Sequence, residues 1–291
     1  MSLSLDRLQA LRRQSGVPAS AISPSPAPRP ALTDPDPLAR LRSMLRVRRR
    51  DVPAPASAAD RSIPGREIAP GLWLQEARLP FELPWQPHLD ARFARRIEPL
   101  STRDLLFFDT ETTGLAGGTG TRAFMIGAAA LEQAGLHVRQ LTIATTSAEP
   151  AMLETFRGWL RPATVLVSYN GKCYDAPLLK TRYRLMRQTE PLSALEHVDL
   201  LHPTRRRYRG AFENCRLGTI ERRVLSIVRE DDLPGSEAPG AWLGYLRGGS
   251  SRLLQRVVAH NRQDVVTLAR LVLHLANTGQ HDGPADAGKR G

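Results

Sequence analysis

An apolar run that ends in two acids, residues 105–111 (LLFFDTE), most restricts the fold of this chain. Continuous apolar residues over this length predict a buried strand. Because side chains alternate across a strand, Asp109 and Glu111 are expected on one face at its end. Ionised acids there are costly unless they are paired or bind a metal ion, although a capping or turn acid is the simpler alternative. The sequence therefore predicts a candidate acidic site at the end of a strand.

The segments that follow predict an α/β fold. Strands expected at 124–133 and 138–146 have short connections to the first strand and favour an antiparallel meander. Strands expected at 164–171 and 197–203 alternate with helices and should be parallel. The prediction is a mixed five-stranded sheet (antiparallel meander plus parallel strands) flanked by helices. The predicted helices span 149–160, 174–188, 216–225, 239–246 and 250–276.

The rest of the chain divides by composition. Residues 1–62 are predicted to be a flexible arm rich in Pro, Ala and Arg, and 278–291 a disordered tail. Residues 63–103 should be a lead-in segment that packs on the main domain, 104–277, with a hairpin turn at Pro70-Gly71. Two cysteines exclude a disulfide scaffold or Cys-rich zinc module, and no apolar run is long enough for a membrane span. With no secretory signal recognised at the N-terminus, a cytoplasmic location is expected.

The charge balance favours an anionic partner. Lys and Arg number 41 against 29 for Asp and Glu, a formal net charge of +12, and nearly all the cations are arginine. Arginine pairs bidentately with phosphate, so nucleic acid is the expected partner. Genome composition is an alternative source of the arginine bias. The block at 46–50 is either an electrostatic contact with nucleic acid or a solvated basic tail.

Further acids follow the other predicted elements. Asp175 comes after the fourth strand and opens a helix, where it is a site residue or an N-cap. His260 and Asp264 lie four residues apart in the last helix, so they share one face as a site pair or as a buried core pair. Asp199, on the fifth strand, is either a fifth acid near the site or, as we expect, a structural residue. Acids and bases that should form salt bridges away from the site are Glu221, Arg229, Asp231 and Asp232.

Together these acids, in this order, resemble the DEDD superfamily of 3′–5′ exonucleases, and more closely its YprB-type ribonuclease H-like family. The resemblance covers about Gly65 to Leu275. It rests on FFDTETTGL and GGTGTR (107–122), SYNGKCYDAPLL (168–179), HVDLL (197–201), CRLGTIERRVL (215–225), REDDLPG (229–235) and HNRQDVVTLARL (260–271). One departure is that His260 stands at the spacing where the superfamily carries Tyr, so the identity of the general base stays open.

The resemblance implies a ribonuclease H-like nuclease domain and a phosphodiester hydrolase that uses two divalent cations, Mg²⁺ or Mn²⁺. It implies that Asp109 bridges the cations and that Glu111, Asp175 and Asp264 complete their ligands. Four converging carboxylates also need cations on electrostatic grounds. His260 is the candidate to orient or deprotonate the attacking water, because imidazole titrates near neutrality.

Several residues are candidates for contact with the nucleic acid. Asn170 and Lys172 precede Asp175 and are suited to a phosphate, although a plain loop role is equally consistent. The glycine-rich segment at 116–122, with Arg122, is interpreted as a hairpin over the site. Arg206 and Tyr208 combine charge with a ring that can stack on single strands, or they belong to a solvated basic loop.

The leading hypothesis is a 3′–5′ exonuclease that acts on DNA or RNA, with a single-stranded end as substrate. A non-catalytic nucleic-acid-binding module is the alternative from another class, and a structure-specific endonuclease is the alternative on the same fold. The presence of all four acids argues against the binding module. The N-terminal arm is a candidate to recruit a protein partner, but its sequence identifies none.

Overall fold

The apolar run at 105–111 forms a central strand of a seven-stranded sheet in the computed structural model of the protein. The structure describes residues 60–80, 85–114, 119–132 and 135–279, which belong to one compact unit. Most of the predicted arm, 1–59, and the tail from 280 lie outside these residues. The strands are β1 (Arg66–Ala69), β2 (Leu72–Leu79), β3 (His88–Leu89), β4 (Leu100–Ser101), β5 (Leu105–Thr112), β6 (Ala123–Glu132), β7 (Gly135–Ile143), β8 (Val165–Ser168) and β9 (Glu196–Asp199).

The predicted strand directions are confirmed, whereas the predicted number of strands is wrong. In the sheet order β1-β2-β7-β6-β5-β8-β9, strands β5, β6 and β7 form the antiparallel meander, and β8 and β9 run parallel to β5. The hairpin predicted around Pro70-Gly71 is present as β1 and β2. It does not merely pack on the core, because β2 pairs along β7 from Leu72 to Leu79 and extends the sheet. Strands β3 and β4 form a separate two-stranded ribbon.

Helices cover the sheet on both faces. They are α1 (Glu149–Arg157), α2 (Asp175–Leu185), α3 (Leu201–Tyr208), α4 (Leu217–Val224), α5 (Ala238–Leu246) and α6 (Arg252–Gly279), with short 3-10 turns at Arg92–Ala94, Thr102–Asp104, Thr146–Ala148, Leu192–Ala194 and Gly235–Glu237. Helix α3 corrects two predictions. The fifth strand ends at Asp199 rather than at 203, and the basic segment at 205–208 is helical rather than a loop.

Alternation along β5 divides the core. Phe107 packs with Ala129, Val138 and the second half of α6, whereas Phe108 packs in the other cluster, with Phe156. Helix α6 contacts β5, β6 and β7, which brings its polar residues to the end of β5. In the described part of the chain, none of the helices has the length and apolarity that crossing a membrane requires.

Candidate active site

Four carboxylates from three segments converge at one end of β5, and we call them the acidic cluster. Asp109 and Glu111 lie on β5, Asp175 is the first residue of α2, and Asp264 lies on α6. Burial raises the pKa of Asp109 well above its usual range, and the charges of the other three carboxylates raise it further. Burial likewise raises the pKa of Glu111, followed by the charges of Asp264 and Asp175. The structure therefore brings together the acids that the sequence singles out.

A cavity of about 220 Å³ opens beside the acidic cluster, and we call it the acidic cavity. Thr110 donates a hydrogen bond to Asp175 Oδ1 and so ties β5 to α2. Burial raises the pKa of Asp175 to about 6, and the hydroxyl of Thr110 acts in the opposite direction. The walls of the cavity are Asp109, Thr110, Thr112, Gly114, Thr121, Tyr169, Asn170, Tyr174, Asp175 and Leu178.

Asn261 holds Asp109 in place, a contact that sequence reasoning missed. The Asn261 side chain is fully buried, and its Nδ2 donates to Asp109 Oδ2 at 2.9 Å. Its Oδ1 accepts from Gln140 Nε2 at 2.9 Å. Gly127 lies between Asp109 and Gln140 in the sheet register, and its lack of a side chain makes room for the Asn261 amide. One buried hydrogen-bonded chain therefore fixes the orientation of Asp109.

Replacing Gly127 by Ala is expected to disturb this chain. A Cβ at Gly127 would lie 2.0 Å from Asn261 Oδ1, so the amide must move away from Asp109. We expect a loss of about 1–3 kcal/mol in the free energy of unfolding. We also expect about a 10–100-fold fall in any metal affinity of the acidic cluster, the cost typical of a disturbed supporting contact. Chemical denaturation and titration calorimetry with Mn²⁺ measure the two effects.

Gly240→Ala is the matched control, because no atom of the described part of the chain lies within 4 Å of a Cβ at that exposed helical position. It should leave metal affinity unchanged and stabilise α5 by roughly 0.5–1 kcal/mol. If Gly127→Ala and Gly240→Ala had the same stability and the same metal affinity, the role assigned to Asn261 would be contradicted.

Arg229 contacts Asp264, which corrects the prediction that the salt bridges of Arg229 lie away from the site. Its Nη2 donates to Glu221 Oε1 at 2.6 Å and to Asp264 Oδ1, and its Nε donates to Glu221 Oε2 at 2.7 Å. Glu221 is buried and also accepts from the Thr267 hydroxyl. The predicted salt bridges exist, and they orient a member of the acidic cluster.

His260 lies next to the acidic cluster, as its spacing from Asp264 predicts. Its Nε2 is 3.5 Å from Asp264 Oδ2, and its Nδ1 is 2.7 Å from Asp232 Oδ1 and 3.1 Å from Arg229 Nη1. The shorter contact, with a carboxylate, favours a proton on Nδ1 that is donated to Asp232. In the neutral ring, Nε2 is then the free acceptor on the side of the cluster.

The donor chemistry of the acidic cluster fits a hard divalent cation such as Mg²⁺ or Mn²⁺, which binds carboxylate oxygens. A cation there would relieve the repulsion that raises the pKa of Asp109 and Glu111. As the side chains stand, Asp109 faces Asn261, Asp175 faces Thr110, and Asp264 faces Arg229. Among the described residues, the structure therefore contains no group of three His, Cys, Asp or Glu side chains that already surrounds a possible metal position.

The loop between β8 and α2 carries two of the residues predicted to contact nucleic acid. Asn170 lines the acidic cavity, and its backbone is left-handed, with φ of 66°. Lys172 lines a different cavity. Asp199, at the end of β9, accepts from the backbone N–H of Asn170 at 2.7 Å and of Lys172 at 3.0 Å. Asp199 is thus structural, as expected.

Arg122 is engaged by the protein itself. Its Nη1 donates to the Thr146 carbonyl at 2.9 Å and lies 3.3 Å from a carboxylate oxygen of Glu149. The glycine-rich segment has residues 115–118 outside the described part, but Thr121 lines the acidic cavity, so the hairpin borders the site. Arg122 anchors the base of this hairpin.

Helix α3 carries the other two predicted contacts. Arg206 is exposed and donates to the Phe93 carbonyl. The Tyr208 ring stacks on Phe212 and on His274, and its hydroxyl lies 2.6 Å from His274 Nε2. These contacts engage Tyr208 within the fold and do not favour stacking on a base.

Tyr174 is the exposed aromatic residue that the sequence reasoning overlooked. It immediately precedes Asp175, lines the acidic cavity, and is 60% exposed. A signal was present in the sequence, since an aromatic residue in a polar loop next to a candidate site acid has no core to join.

The chain is similar to known proteins in sequence and in structure. A sequence model of the family RNase_H_2, described as RNase_H superfamily, matches residues 106–276. The uncharacterized protein YprB of Bacillus subtilis (strain 168) is 38% identical over 174 residues, which are 60% of this chain and 42% of that protein. The chain thus matches less than half the length of this relative. A family B DNA polymerase from Pyrobaculum calidifontis aligns with a TM-score of 0.42 and 16% identity over 58% of this chain and 24% of that one.

Proposed function

The chain belongs to the RNase_H superfamily, as a YprB-type ribonuclease H-like protein, and from this premise we propose that it is a metal-dependent nuclease. The reaction is hydrolysis of a phosphodiester bond in DNA or RNA, and the preferred mode is removal of nucleotides from the 3′ end of a single strand. Superfamily membership supports the assignment as a hydrolase. The residues of the acidic cluster support the proposal of a metal-dependent nuclease.

The convergence of four carboxylates from β5, α2 and α6 carries the proposal. Such a cluster costs folding free energy, because buried acids of like charge repel one another. Two partly buried contacts, Asn261 to Asp109 and Arg229 to Asp264, nevertheless hold these acids in place. A costly, well-supported cluster beside a cavity is typical of a catalytic site.

Asp109, Glu111, Asp175 and Asp264 are the residues that would hold divalent cations, as superfamily members generally use such ions. Bound cations supply the Lewis acidity that makes water a nucleophile near neutral pH and offset charge on the leaving oxygen. His260 Nε2, held by the contact of Nδ1 with Asp232, accepts the proton of the attacking water. The water oxygen bonds to phosphorus as the bond from phosphorus to the 3′ oxygen breaks.

The test is digestion of single-stranded DNA and RNA, labelled at either end, by the purified protein with Mg²⁺ or Mn²⁺. We expect ladders that shorten from the 3′ end, and their loss with a chelator and in Asp109→Asn. Internal cuts would overturn the exonuclease mode in favour of an endonuclease. Salt-sensitive binding without any cleavage would overturn the catalytic proposal in favour of a binding module.

Replacing Tyr174 by Ala is expected to weaken single-strand binding. An exposed ring at the mouth of the acidic cavity offers a stacking surface for a base, which is worth about 1–3 kcal/mol. We therefore expect roughly a tenfold rise in KM with kcat changed much less. Tyr174→Phe should retain the wild-type KM, because the ring is kept.

Leu185→Ala is the matched control, since Leu185 is an exposed apolar residue at the end of α2 that does not line the acidic cavity. Its KM should equal that of the wild type. A Tyr174→Ala enzyme with unchanged KM would show that bases do not stack at this position.

A further inference from the structure

A second cavity, of about 410 Å³, is lined in part by Lys172 of the β8–α2 loop, and we call it the basic cavity. The β8–α2 loop lines both cavities, since Asn170 belongs to the acidic cavity and Lys172 to the basic cavity. The basic cavity is lined by Ala94, Arg96, Lys172, Glu196, His197, Val198, Asp199, His202, Pro203 and Arg206.

Cationic side chains outnumber acidic side chains in the lining of the basic cavity. Arg96 pairs with Glu196, and its buried Nε has no hydrogen-bond partner among the described residues. Arg206 donates to a carbonyl, and no carboxylate of the described residues pairs with Arg206 or Lys172. Lost hydration and the charge of the neighbouring Arg95 lower the pKa of the Arg206 guanidinium. The exposed imidazole of His202 adds a further hydrogen-bonding group.

The Asp199 carboxylate, which lines the basic cavity, already accepts hydrogen bonds from the protein itself. The Asp199 carboxylate accepts from the backbone N–H of Asn170, Lys172 and Leu201, at 2.7, 3.0 and 3.0 Å. Its charge therefore organises the loop and leaves the Lys172 ammonium without a partner among the described residues. A planar guanidinium and an ammonium without acid partners are the groups that bind phosphate in proteins.

We propose that the basic cavity binds a backbone phosphate of the same nucleic-acid strand whose scissile phosphate lies at the acidic cluster. This inference rests on the proposed function and adds the path of the strand, across the β8–α2 loop. Lys172 and Arg206 are the principal contacts, and Arg96 and His202 complete the pocket. Contacts to phosphate fix the position of a strand without reading its sequence, so the cavity favours substrates long enough to reach it.

The test is the salt dependence of binding for the double variant Lys172→Gln/Arg206→Gln. Binding of a labelled long oligothymidylate is measured by fluorescence anisotropy in chelator, so the result does not depend on cleavage. We expect about a tenfold rise in Kd at low salt, and a slope of log K against log salt that is smaller by about 0.7 for one lost phosphate contact. Thermal melting checks that the variant is folded.

Two further variants test whether the change in slope requires cations in the basic cavity or follows from any loss of positive charge. Arg184→Gln/Arg247→Gln removes two exposed arginines outside the basic cavity and should keep the wild-type slope. The charge-retaining variant Arg206→Lys should also keep most of the slope. If the Lys172→Gln/Arg206→Gln variant matches the Arg184→Gln/Arg247→Gln control, the phosphate site is overturned even where cleavage is observed.

Inorganic phosphate is the second probe, because a free anion presents the same chemistry. Calorimetric binding of phosphate that the double variant loses, with an unchanged oligothymidylate slope, would overturn the assignment to a nucleic-acid strand. A reduced slope together with absent cleavage by the wild type would support the strand path and count against the catalytic proposal alone.

Discussion

Replacing Asp175 by Asn is expected to abolish metal-dependent cleavage and, at the same time, to make the cation-free protein more stable. Cleavage should fall by about 10³-fold or more, because one carboxylate ligand supports several kcal/mol of transition-state stabilisation. The amide oxygen of Asn can still accept from the Thr110 hydroxyl, so local packing is kept. End-labelled digestion measures the loss of activity.

The gain in stability follows from the raised pKa of Asp175, about 6 against an ordinary value of 3.8. A raised pKa means that the folded state favours the protonated acid, so this favourable contribution is lost as the pH rises through about 6. At neutral pH, Asn should therefore stabilise the fold by roughly 1–3 kcal/mol relative to ionised Asp175. Melting temperatures should differ by roughly 2–4 °C for each kcal/mol, and the difference should vanish at low pH.

Divalent cations provide the complementary measurement. Mn²⁺ should raise the melting temperature of the wild type and narrow its difference from Asp175→Asn, because a ligand that binds only the folded state stabilises it. Thr181→Val is a control that should show none of these effects, since the Thr181 hydroxyl donates to the Pro177 carbonyl within α2 itself. A variant that is less stable than the wild type at every pH would contradict the proposed repulsion within the acidic cluster.

Local patterns made much of this site predictable. Alternation along an apolar strand placed Asp109 and Glu111 on one face, and a spacing of four placed His260 beside Asp264. Both rules use neighbours along one element, and both hold in the structure. The antiparallel meander followed from short connections in the same way.

Contacts between elements that are far apart in the sequence were harder to predict. Arg229 lies in an irregular segment without periodicity, so nothing local indicates that its guanidinium reaches Asp264. Asn261 adjoins His260 in sequence, but its role depends on Gly127 in a neighbouring strand that makes room for it. The two additional strands were missed for a similar reason. The hairpin was predictable from its turn, whereas its pairing along β7 depends on tertiary register.

Replacing Arg182 by Met is expected to cause the largest loss of stability. Arg182 Nη2 donates to Glu149 Oε2 at 2.7 Å and its Nε donates to Oε1, and both side chains are buried. Removing the cation leaves a buried carboxylate without its main partner, which costs about 3–5 kcal/mol. The melting temperature should fall by roughly 6–20 °C, as measured by calorimetry.

The same pair also supports the acidic cavity. Arg182 Nη1 donates to the Thr119 carbonyl at 3.0 Å, and Arg122 approaches the same Glu149, so this pair anchors the hairpin that borders the cavity. We therefore expect Arg182→Met to lower cleavage about 10–100-fold even at temperatures where it is folded, as for other supporting contacts.

Two controls distinguish a buried ion pair from a loss of charge in general. Arg157→Met breaks the exposed pair with Glu154 and should cost at most about 0.5 kcal/mol. Glu149→Leu combined with Arg182→Met should recover much of the stability, because removing both charges leaves no unpaired carboxylate. The hairpin would still lose its anchor, so cleavage should stay low in the double variant. Recovery of both stability and cleavage would instead mean that Glu149 and Arg182 serve the fold alone.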